Sequence, residues 1–400
     1  MGFQQGLSGL NATAKNLEVI GNNVANANTY GFKSSRAEFA DMVANALAGT
    51  GSTSPGIGTR LATVAQQFTQ GNITTTENSL DVAINGAGFF ELQDANGRTL
   101  YTRNGQFKID PNSGNITTTA GETLIGRATD GTYPSPLRLP TAGMGANMTT
   151  EMAIEANLPA SATAIAASVA FDPSNVASYN NATSATVFDA QGNEVALTYY
   201  FRKDAANDWT VYALPEGETV PQTFSLSFGS TGATPTITPA TPTVTVANPP
   251  STGALSIALD LSQITQYGTS FGVTDLTQDG YAPGQLVSVA IEANGTITAR
   301  FSNSETMAAG TVQLVTFRNP QGLQPMGGNN WAATMAAGTA MQGNPGEQNR
   351  GVLQSGALED SNVDLTAELV SMMTAQRMYQ ANAQTIKTED AVLQTLVNLR

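Results

Sequence analysis

The sequence predicts a multidomain α+β protein. Paired, coiled-coil-like terminal helices carry mainly antiparallel β domains, and one β domain is inserted into another. Three observations predict this class: heptad spacing of apolar residues at both chain ends, regular Gly-containing turn signals after residue 71, and an acidic Thr- and Pro-rich stretch within the β pattern. At 400 residues the chain exceeds one ordinary core, so several domains are expected.

Both chain ends carry mostly apolar residues at alternating spacings of four and three. The N-terminal stripe consists of Phe3, Leu7, Leu10, Ala14, Leu17, Gly21 and Val24. The C-terminal stripe consists of Leu365, Leu369, Met372, Gln376, Tyr379, Ala383, Ile386, Asp390, Leu393 and Val397. Small and polar residues weaken both stripes, so we expect the two helices to pair in antiparallel orientation; the alternative is two amphipathic helices packed on separate domains. The segment SNVD, residues 361–364, supplies a candidate N-cap.

This pairing makes the remaining chain a set of nested domains on one helical stalk. The predicted parts are a terminal helical core (1–30 and 358–400), an extended connector (31–70), an inner β domain (71–144 and 285–357) and an inserted outer β domain (145–284). The connector is predicted because it has few apolar anchors and contains the Gly/Ser/Thr run GTGSTSPGIG.

Turn signals divide the inner β domain into short strands. Asn96-Gly97, Asn104-Gly105 and Ser113-Gly114 follow one another at intervals of eight and nine residues, which predicts a β-meander. Strand character resumes after residue 285 with a hairpin at Asn294-Gly295, and we expect this part to complete the same sheet.

The predicted outer domain is acidic. It holds twelve acids against Arg202 and Lys203, and so accounts for −10 of the net charge of −14. Hairpin signals lie at DAQGNEV and between TYYFRK and DWTVYAL, whereas the prolines of TPTITPATPTVTV restrict that segment to loops or edge strands.

The composition argues against catalysis and several kinds of binding. The absence of His and Cys removes imidazole bases, thiol nucleophiles and the common zinc sites, and we expect neither a cofactor nor a metal. The adjacent pairs Glu359-Asp360 and Glu389-Asp390 are interpreted as solvated acids. Without a basic patch, nucleic acid is not an expected partner. Without a secretory signal or a long apolar run, we expect a chain that is either cytosolic or exported by a route that does not read such a signal, and no membrane insertion.

Four side-chain amides at the end of the first helix leave two interpretations open. Asn22, Asn23, Asn26 and Asn28 could bridge neighbouring subunits or face a hydrated lumen, because amides both donate and accept hydrogen bonds. The alternative, favoured more for Asn26 and Asn28, is helix capping followed by a turn at Tyr30-Gly31.

Both terminal segments resemble a known family. The segment SGLNATAKNLEVIGNNVANANTYGFKSSRAEFADM (8–42) is similar to the N-terminal signature of the bacterial flagellar axial proteins, the rod and hook family. Residues 361–400 resemble the matching C-terminal signature, and GFFELQDANGRTLYTRNGQFKIDPNSGNITTTAGETLIG is similar to the family's inner β domain. The large insertion favours a hook subunit over the shorter distal-rod type.

The resemblance implies a non-enzymatic structural subunit. It implies a helical homopolymer at the cell surface that acts as a flexible universal joint and encloses an export channel. The implied partners are other copies of the chain, the hook cap, the distal rod and hook-filament junction proteins, and the flagellar type III export apparatus. A rival of another class is a secreted β-rich adhesin or coat protein. The residues expected to mediate assembly are Phe3, Leu7, Leu10, Leu17, Asn22, Asn23, Val24, Asn26, Asn28, Leu365, Leu369, Met372, Gln376, Tyr379, Ile386, Leu393 and Val397.

Overall fold

The computed structural model describes residues 2–42, 56, 58–247, 249–250 and 253–398. Two long helices stand at the ends of the described chain, and short, mainly antiparallel strands lie between them. The predicted fold class is therefore confirmed.

The chain divides into two compact units. The first comprises Met1–Thr141, Ser288–Ala299 and Met307–Arg400, and the second comprises Ala142–Val287 and Arg300–Thr306. The second unit is thus an insertion into the first along the sequence. The finer bounds of the predicted domains remain a prediction.

The terminal helices are α1, Gly2–Ala25, and α2, Leu365–Asn398. They pack antiparallel, because Gly6 near the start of α1 lies against Ile386, whereas Asn23 near its end bonds to Glu368. The predicted pairing of the chain ends is therefore confirmed. The predicted N-cap is also present: the Asp364 carboxylate accepts the backbone N–H groups of Thr366 and Ala367 at 2.9 and 3.1 Å.

A β-hairpin follows α1 in the segment predicted to be an extended connector. Strands β1, Ser35–Met42, and β2, Gly58–Gln66, pair antiparallel with a bulge at Glu38/Phe39. The sequence gives little sign of this pairing, because both strands are short of large apolar residues and remain half-exposed. Residues 43–55, which include much of the Gly/Ser/Thr run, lie outside the described residues.

The inner β region begins with eight short strands. They are β3 Ile73–Thr75, β4 Val82–Asn85, β5 Phe89–Gln93, β6 Thr99–Thr102, β7 Phe107–Ile109, β8 Ile116–Thr118, β9 Thr123–Arg127 and β10 Ser135–Pro136. The turns at Asn96-Gly97 and Ser113-Gly114 join paired strands, as predicted. The meander prediction is wrong at Asn104-Gly105, because β6 pairs with β5 while β7 pairs with β8. Gly105 instead allows a close approach to the backbone of Val82, where a Cβ atom would lie 1.7 Å from the carbonyl oxygen.

The second unit is a β-sandwich. Its strands are β11 Glu151–Pro159, β12 Asn181–Phe188, β13 Glu194–Lys203, β14 Asp208–Pro215, β15 Gln222–Phe228, β16 Pro235–Thr238, β17 Thr243–Val246, β18 Leu255–Asp260, β19 Thr265–Tyr267 and β20 Gly272–Gln278, with a 3-10 turn at Val176–Ser178. One sheet has the order β12-β13-β14-β15-β16, and the other contains β17-β18-β11-β19 with β20 beside β11. The two predicted hairpins are β12–β13 and β13–β14. The Pro-rich segment supplies the edge strands β16 and β17, as predicted.

The chain then returns to the inner β region. The strands are β21 Leu286–Ile291, β22 Thr296–Phe301, β23 Thr306–Val312, β24 Leu314–Thr316, β25 Gln324–Gly327, β26 Asn330–Ala332, β27 Met341–Gly343, β28 Val352–Ser355 and β29 Ala357–Glu359, with a 3-10 turn at Pro320–Gly322. The main sheet has the order β21-β22-β23-β9-β5-β6-β26-β25, so the later strands complete the sheet begun after residue 71. Strand β28 pairs with β4 and β29 pairs with β3, so the last strands lie beside the first strands of the inner β region.

Each unit has its own apolar core. In the second unit, alternate residues of both sheets meet in one cluster that includes Trp209, Tyr199 and Phe201. In the first unit, an aromatic cluster around Phe89 and Trp331 is closed by Phe68, which follows β2. Arg103 lies over the Phe89 ring of this cluster, 5.4 Å from the ring centroid.

Candidate assembly surface

The helices contact each other through small and polar residues. A Cβ atom at Gly6 would lie 3.1 Å from Ile386, and one at Gly9 would lie 3.0 Å from the Asn382 side chain. Further along the same face, Ile20 of α1 and Ala375 of α2 are buried. Small residues let two helices approach closely, and the face therefore needs little apolar area.

On α1 this contact face lies one residue before the predicted stripe: it follows Gly6, Gly9, Thr13, Ile20 and Asn23, where the predicted stripe follows Leu7, Leu10, Ala14, Gly21 and Val24. On α2 the contact face includes Glu368, Ala375 and Asn382, each one residue before a stripe position, but also Ile386, which belongs to the predicted stripe itself. One residue corresponds to a rotation of about 100° around a helix. The heptad pattern thus identifies both helices but not the face through which they pair.

The rotation leaves large apolar side chains exposed. Phe3 and Leu7 on α1 are 46% and 43% exposed, and Leu365 and Leu369 on α2 are 46% and 45% exposed. Leu10, Leu17 and Val24 are half-buried. In a monomeric globular protein, apolar residues at helical spacing usually face the protein's own core, which these residues do not.

The remaining predicted positions of α2 are divided. Met372 and Ile386 are half-buried, whereas Gln376 and Tyr379 are exposed. Leu393 is exposed and lies beyond Ile386, the α2 residue that contacts Gly6. The side chain of Val397 lies outside the described residues.

Asn23 is the best-connected amide of the four. Its side chain is 1% exposed, and its Nδ2 donates to the Ser35 carbonyl at 2.8 Å and to the Glu368 carboxylate at 2.9 Å. Its Oδ1 accepts the Ser35 backbone N–H at 2.9 Å. Both amide hydrogens and the oxygen are thus used within the chain, where they join α1, β1 and α2. An intersubunit bridge through Asn23, which the sequence left open, finds no free donor here.

The other three amides lie at or near the helix end. Asn22 and Asn28 are exposed, and the Asn26 Nδ2 donates to the Asn22 carbonyl at 3.0 Å. The backbone turns after α1, with the Thr29 N–H donating to the Asn26 carbonyl at 3.1 Å. Gly31 then adopts φ +70°, a conformation that favours glycine. This geometry agrees with the capping interpretation for Asn26 and leaves Asn22 and Asn28 free to contact other molecules.

A buried ionic cluster lies where the chain passes between the helices and the β strands. We call residues 30–34 and 359–362 the neck. The Lys33 ammonium lies 2.6 Å from one oxygen of Glu359, and the Arg103 guanidinium lies 3.0 Å from the other. The side chains of Lys33 and Glu359 are fully buried. The cluster connects the segment after α1, the segment before α2 and the loop after β6.

Backbone groups complete the coordination of these charges. The Gly71 N–H donates to Glu359 at 2.9 Å, Lys33 also donates to the Thr69 carbonyl, and Arg103 donates to the Gly86 carbonyl at 2.8 Å. Burial lowers the pKa of Lys33, and the nearby Arg103 lowers it further, while Glu359 opposes both effects. Burial also lowers the pKa of Arg103, again opposed by Glu359. One carboxylate therefore holds two cationic groups, and its loss leaves both without a counter-ion.

Uncharged contacts reinforce the neck. The Asn362 Nδ2 donates to the Gln67 carbonyl at 2.7 Å, and its Oδ1 accepts the Ser34 N–H at 2.7 Å. The Gly31 N–H donates to the Glu359 carbonyl at 2.8 Å. A Cβ atom at Gly31 would lie 2.5 Å from the Asn104 nitrogen, so this position requires glycine for space as well as for φ.

Family models match most of the chain. "Flagella basal body rod protein" matches residues 3–33, "Flagellar hook protein FlgE/F/G D1 domain" matches 83–168, "Flagellar basal body protein FlaE D2 domain" matches 157–281, and "Flagellar basal body rod FlgEFG protein C-terminal" matches 354–399. The first and last of these contain the terminal helices and the neck residues Lys33 and Glu359.

Full-length relatives agree with these matches. The flagellar hook protein FlgE of Salmonella typhimurium is 42% identical over 416 residues, and that of Escherichia coli K12 is 42% identical over 414, each covering all of both chains. FlgE of Borreliella burgdorferi is 31% identical and covers 99% of this chain and 98% of its own. The chain belongs to the flagellar hook protein FlgE family. It is a structural subunit of the flagellar hook, as the resemblance of its terminal segments implied.

A solved structure supports the FlgE fold independently. The crystal structure of Helicobacter pylori flagellar hook protein FlgE2 matches with a TM-score of 0.55 at 15% sequence identity. The match covers 72% of this chain and all of the other. At this identity the likeness concerns the fold alone.

The sequence pattern does not reveal the neck of this FlgE-family chain. The interpretation of Glu359 as a solvated acid is wrong, because its side chain is fully buried between Lys33 and Arg103. Two adjacent acids in a sequence usually indicate a solvated surface. Glu359 is instead the last residue of strand β29, all of whose residues are buried. A usable signal was its place directly after the apolar pair Ala357 and Leu358, both of which are buried.

The two basic residues of the predicted outer domain also have structural roles. Arg202 is buried, donates to the Val169 carbonyl at 2.9 Å and pairs with Asp204, while Lys203 donates to the Ala160 carbonyl and lies over the Trp209 ring. They fasten the loop that precedes β12. With both cations buried, the exposed charge contributed by residues 145–284 is acidic.

Two features are absent from the described residues of this hook subunit. Within that part of the chain, no helix is both long and apolar enough to cross a membrane. The same residues contain no group of three or more His, Cys, Asp or Glu side chains that could hold a metal ion.

Proposed function

We propose that this hook subunit polymerises through its terminal helix pair into a tube. The tube encloses an export channel and acts as a flexible universal joint that transmits motor torque to the filament. The observation that carries this proposal is the exposed apolar surface of the helix pair in the single chain. Burying one such side chain completely contributes roughly 1.5–3 kcal/mol, so several half-exposed positions on each helix favour association with further copies.

The predicted assembly residues fit this proposal unequally. Phe3, Leu7, Leu365, Leu369 and Leu393 have exposed apolar area to contribute. Asn22 and Asn28 have exposed amides that can bridge copies or face water in the channel. Asn23 instead fixes the two helices to each other within one chain.

We also propose that residues 145–284 form the outer domain of the polymer. Support comes from the second compact unit, Ala142–Val287 and Arg300–Thr306, which largely coincides with these residues, and from the apolar core that the sandwich has of its own. Its exposed acids and small polar side chains give contacts with little apolar area. Such contacts rearrange more readily than hydrophobic ones, as a bending tube requires.

The proposed partners follow from membership in the hook family. They are other copies of the chain, the distal rod below, the junction proteins above and the hook cap during growth. The chain reaches the cell surface unfolded through the flagellar type III export apparatus. The proposal assigns it no catalytic activity, nucleic-acid partner or membrane insertion.

Removal of the first helix tests the proposal. The full chain should form short curved tubes visible by electron microscopy, with light scattering that rises above a critical concentration. A variant lacking residues 1–30 should keep the fluorescence of a buried Trp209 but form no tubes. Tubes from the truncated variant would contradict a role for α1 in polymerisation, and a full chain that binds a ligand as discrete monomers would favour the adhesin alternative.

A further inference from the structure

Strand β17 of the sandwich has one free edge. It is the last strand of its sheet, and among the described residues only β18 pairs with it. The Leu259 N–H donates to the Pro242 carbonyl at 2.9 Å, so Pro242 and every second residue after it direct their backbone groups toward β18. The residues between them, Thr243, Thr245 and Ala247, direct theirs away from the sheet. Such an edge is a template for the addition of another strand.

Two side chains from the facing sheet occupy this edge, and we call them the edge-capping residues. The Gln222 Nε2 donates to the Thr245 carbonyl, and its Oε1 accepts the Thr245 N–H at 2.8 Å. The Glu218 carboxylate accepts the Ala247 N–H at 2.6 Å. The Gln222 amide therefore makes with Thr245 both hydrogen bonds that a neighbouring antiparallel strand would make.

The course of β15 places Gln222 at this edge. Strand β16 pairs only with residues 225–228 of β15, so the start of β15 lies beyond the end of β16. Gln222 is on the same face of β15 as the buried Phe224 and Leu226, and its side chain therefore points toward the other sheet. It bridges the two sheets at the point where each of them ends.

The edge lacks the protection that charge usually provides. Residues 219–259 contain no Lys, Arg, Asp or Glu, although the chain carries a net charge of −14. Charged side chains on an edge strand normally keep sheets apart, whereas the alternating Thr and Val residues of β17 favour strand pairing. Two acidic sandwiches can therefore approach each other at this edge without opposing like charges.

We propose that Gln222 and Glu218 prevent β17 from pairing with β17 of a second copy of this chain. Two antiparallel copies of one edge are self-complementary, because the donors of each copy face the acceptors of the other around a two-fold axis. The inference goes beyond the proposed function, since it holds for the free chain whether or not that chain polymerises. In a tube, the same two residues keep neighbouring sandwiches from becoming joined by shared strands.

Removal of both edge-capping residues tests this inference in the full chain. At concentrations where the unmodified chain is monomeric, the variant Glu218→Ala/Gln222→Ala should form dimers, as measured by sedimentation velocity. The control Glu216→Ala/Gln191→Ala removes the same two residue types from exposed positions of the same sandwich and should remain monomeric. The dissociation constant of the dimer should be at least tenfold lower for the edge variant than for the control.

Hydrogen exchange locates the new contact. In the dilute monomer of the edge variant, the Thr245 and Ala247 amides should exchange roughly tenfold faster than in the unmodified chain, because each has lost its acceptor. Both amides should become protected again at concentrations where dimers form. The Val244 amide, which faces β18, should keep its rate throughout.

Several results would overturn the inference. One is an edge variant that stays monomeric, and another is a dimer in which the Thr245 amide remains unprotected. Loss of the buried Trp209 fluorescence in the edge variant would mean that the two side chains hold the sandwich together instead of protecting its edge. All of these measurements use the free chain, so a failure of this inference is distinguishable from a failure to form tubes.

Discussion

The helix pair and the inserted β-sandwich differ in how completely they bury their apolar side chains. In the sandwich, large residues such as Trp209, Tyr199 and Phe201 are almost completely buried between two sheets. In the helix pair, the contact between the helices is made by Gly, Ala, Thr and Asn together with Ile20 and Ile386, and the leucines remain exposed or half-exposed. The sandwich buries its large apolar residues within one chain, whereas the helices keep many of theirs exposed.

This difference assigns separate tasks to separate parts of the hook subunit. A region with a finished core keeps its shape when neighbouring copies move, whereas a region with an unfinished core gains stability from those copies. The neck lies between the helices and the inner strands and must keep them together in either state.

The sandwich should fold without the rest of the chain, which is the largest effect expected. Residues 145–284 expressed alone should unfold in one cooperative transition with a free energy of about 5–15 kcal/mol. Urea denaturation followed by the fluorescence of Trp209 measures this directly. A fragment of residues 361–400 serves as the contrast and should show no cooperative transition. A non-cooperative sandwich fragment would contradict the autonomy of this region.

Removal of the neck carboxylate should be the most damaging single substitution. Glu359→Gln leaves Lys33 and Arg103 buried without a counter-ion, which costs about 3–5 kcal/mol of unfolding free energy. Trp331 fluorescence in a Trp209→Phe background reports the first unit during denaturation. The control is Glu347→Gln, which removes an exposed acid. Similar stabilities of the two variants would mean that the cluster does not hold the neck.

Loss of the Asn23 amide should have an intermediate effect. Asn23→Ala leaves the Ser35 backbone groups and Glu368 without a buried partner, which costs about 1–3 kcal/mol locally. The Ser35 amide should then exchange with deuterium roughly 10–100 times faster. Asn22→Ala, one residue earlier and exposed, should leave that exchange rate unchanged. The contrast fails if both variants accelerate exchange equally.

A buried acid should make the inner strands slightly more stable in mild acid. Burial raises the pKa of Glu91, whose carboxylate accepts a hydrogen bond from the Tyr133 hydroxyl. The folded state then binds the proton more tightly than the unfolded state, so this contribution is complete below the unfolded pKa of about 4.3 and is lost as the pH rises through the folded pKa. The unfolding free energy of Glu91→Gln, measured from pH 4 to 8, should fall less with pH than that of the unmodified chain. Identical slopes would show that Glu91 does not contribute.

Salt should produce the smallest effect, and mainly through the sandwich. Repulsion between acidic outer domains is screened over about 8–10 Å near physiological salt and about 3 Å at 1 M. Raising the salt concentration should therefore change tube curvature or speed polymerisation, as seen by imaging and light scattering. A variant lacking residues 145–284 should respond much less, because these residues carry −10 of the net charge of −14. Equal responses would remove the electrostatic support for an outer position of this domain.

Sequence patterns predicted the elements better than their surroundings. Heptad spacing located both helices, and the turn signals at Asn96-Gly97, Ser113-Gly114 and Asn294-Gly295 located hairpins. Spacing alone did not distinguish a stripe that pairs within the chain from one left exposed, because Leu7 and Gly6 are neighbours and both fit a helical seam. Residues 35–42 and 58–66 contain too few large apolar residues for the sequence to predict that they pair as strands. Glu359 and Lys33, separated by 326 positions, meet only in three dimensions, and no local rule connects them.

The neck also acts as a test of chain completeness. Glu359 belongs to the last tenth or so of the sequence, while the two cations that it neutralises lie in the first 103 residues. If the chain folds from its N-terminus onward, Lys33 and Arg103 remain without their counter-ion until residue 359 can join them. A subunit truncated before β29 would therefore leave Lys33 and Arg103 without the carboxylate that neutralises them, and the base of α1 would stay open.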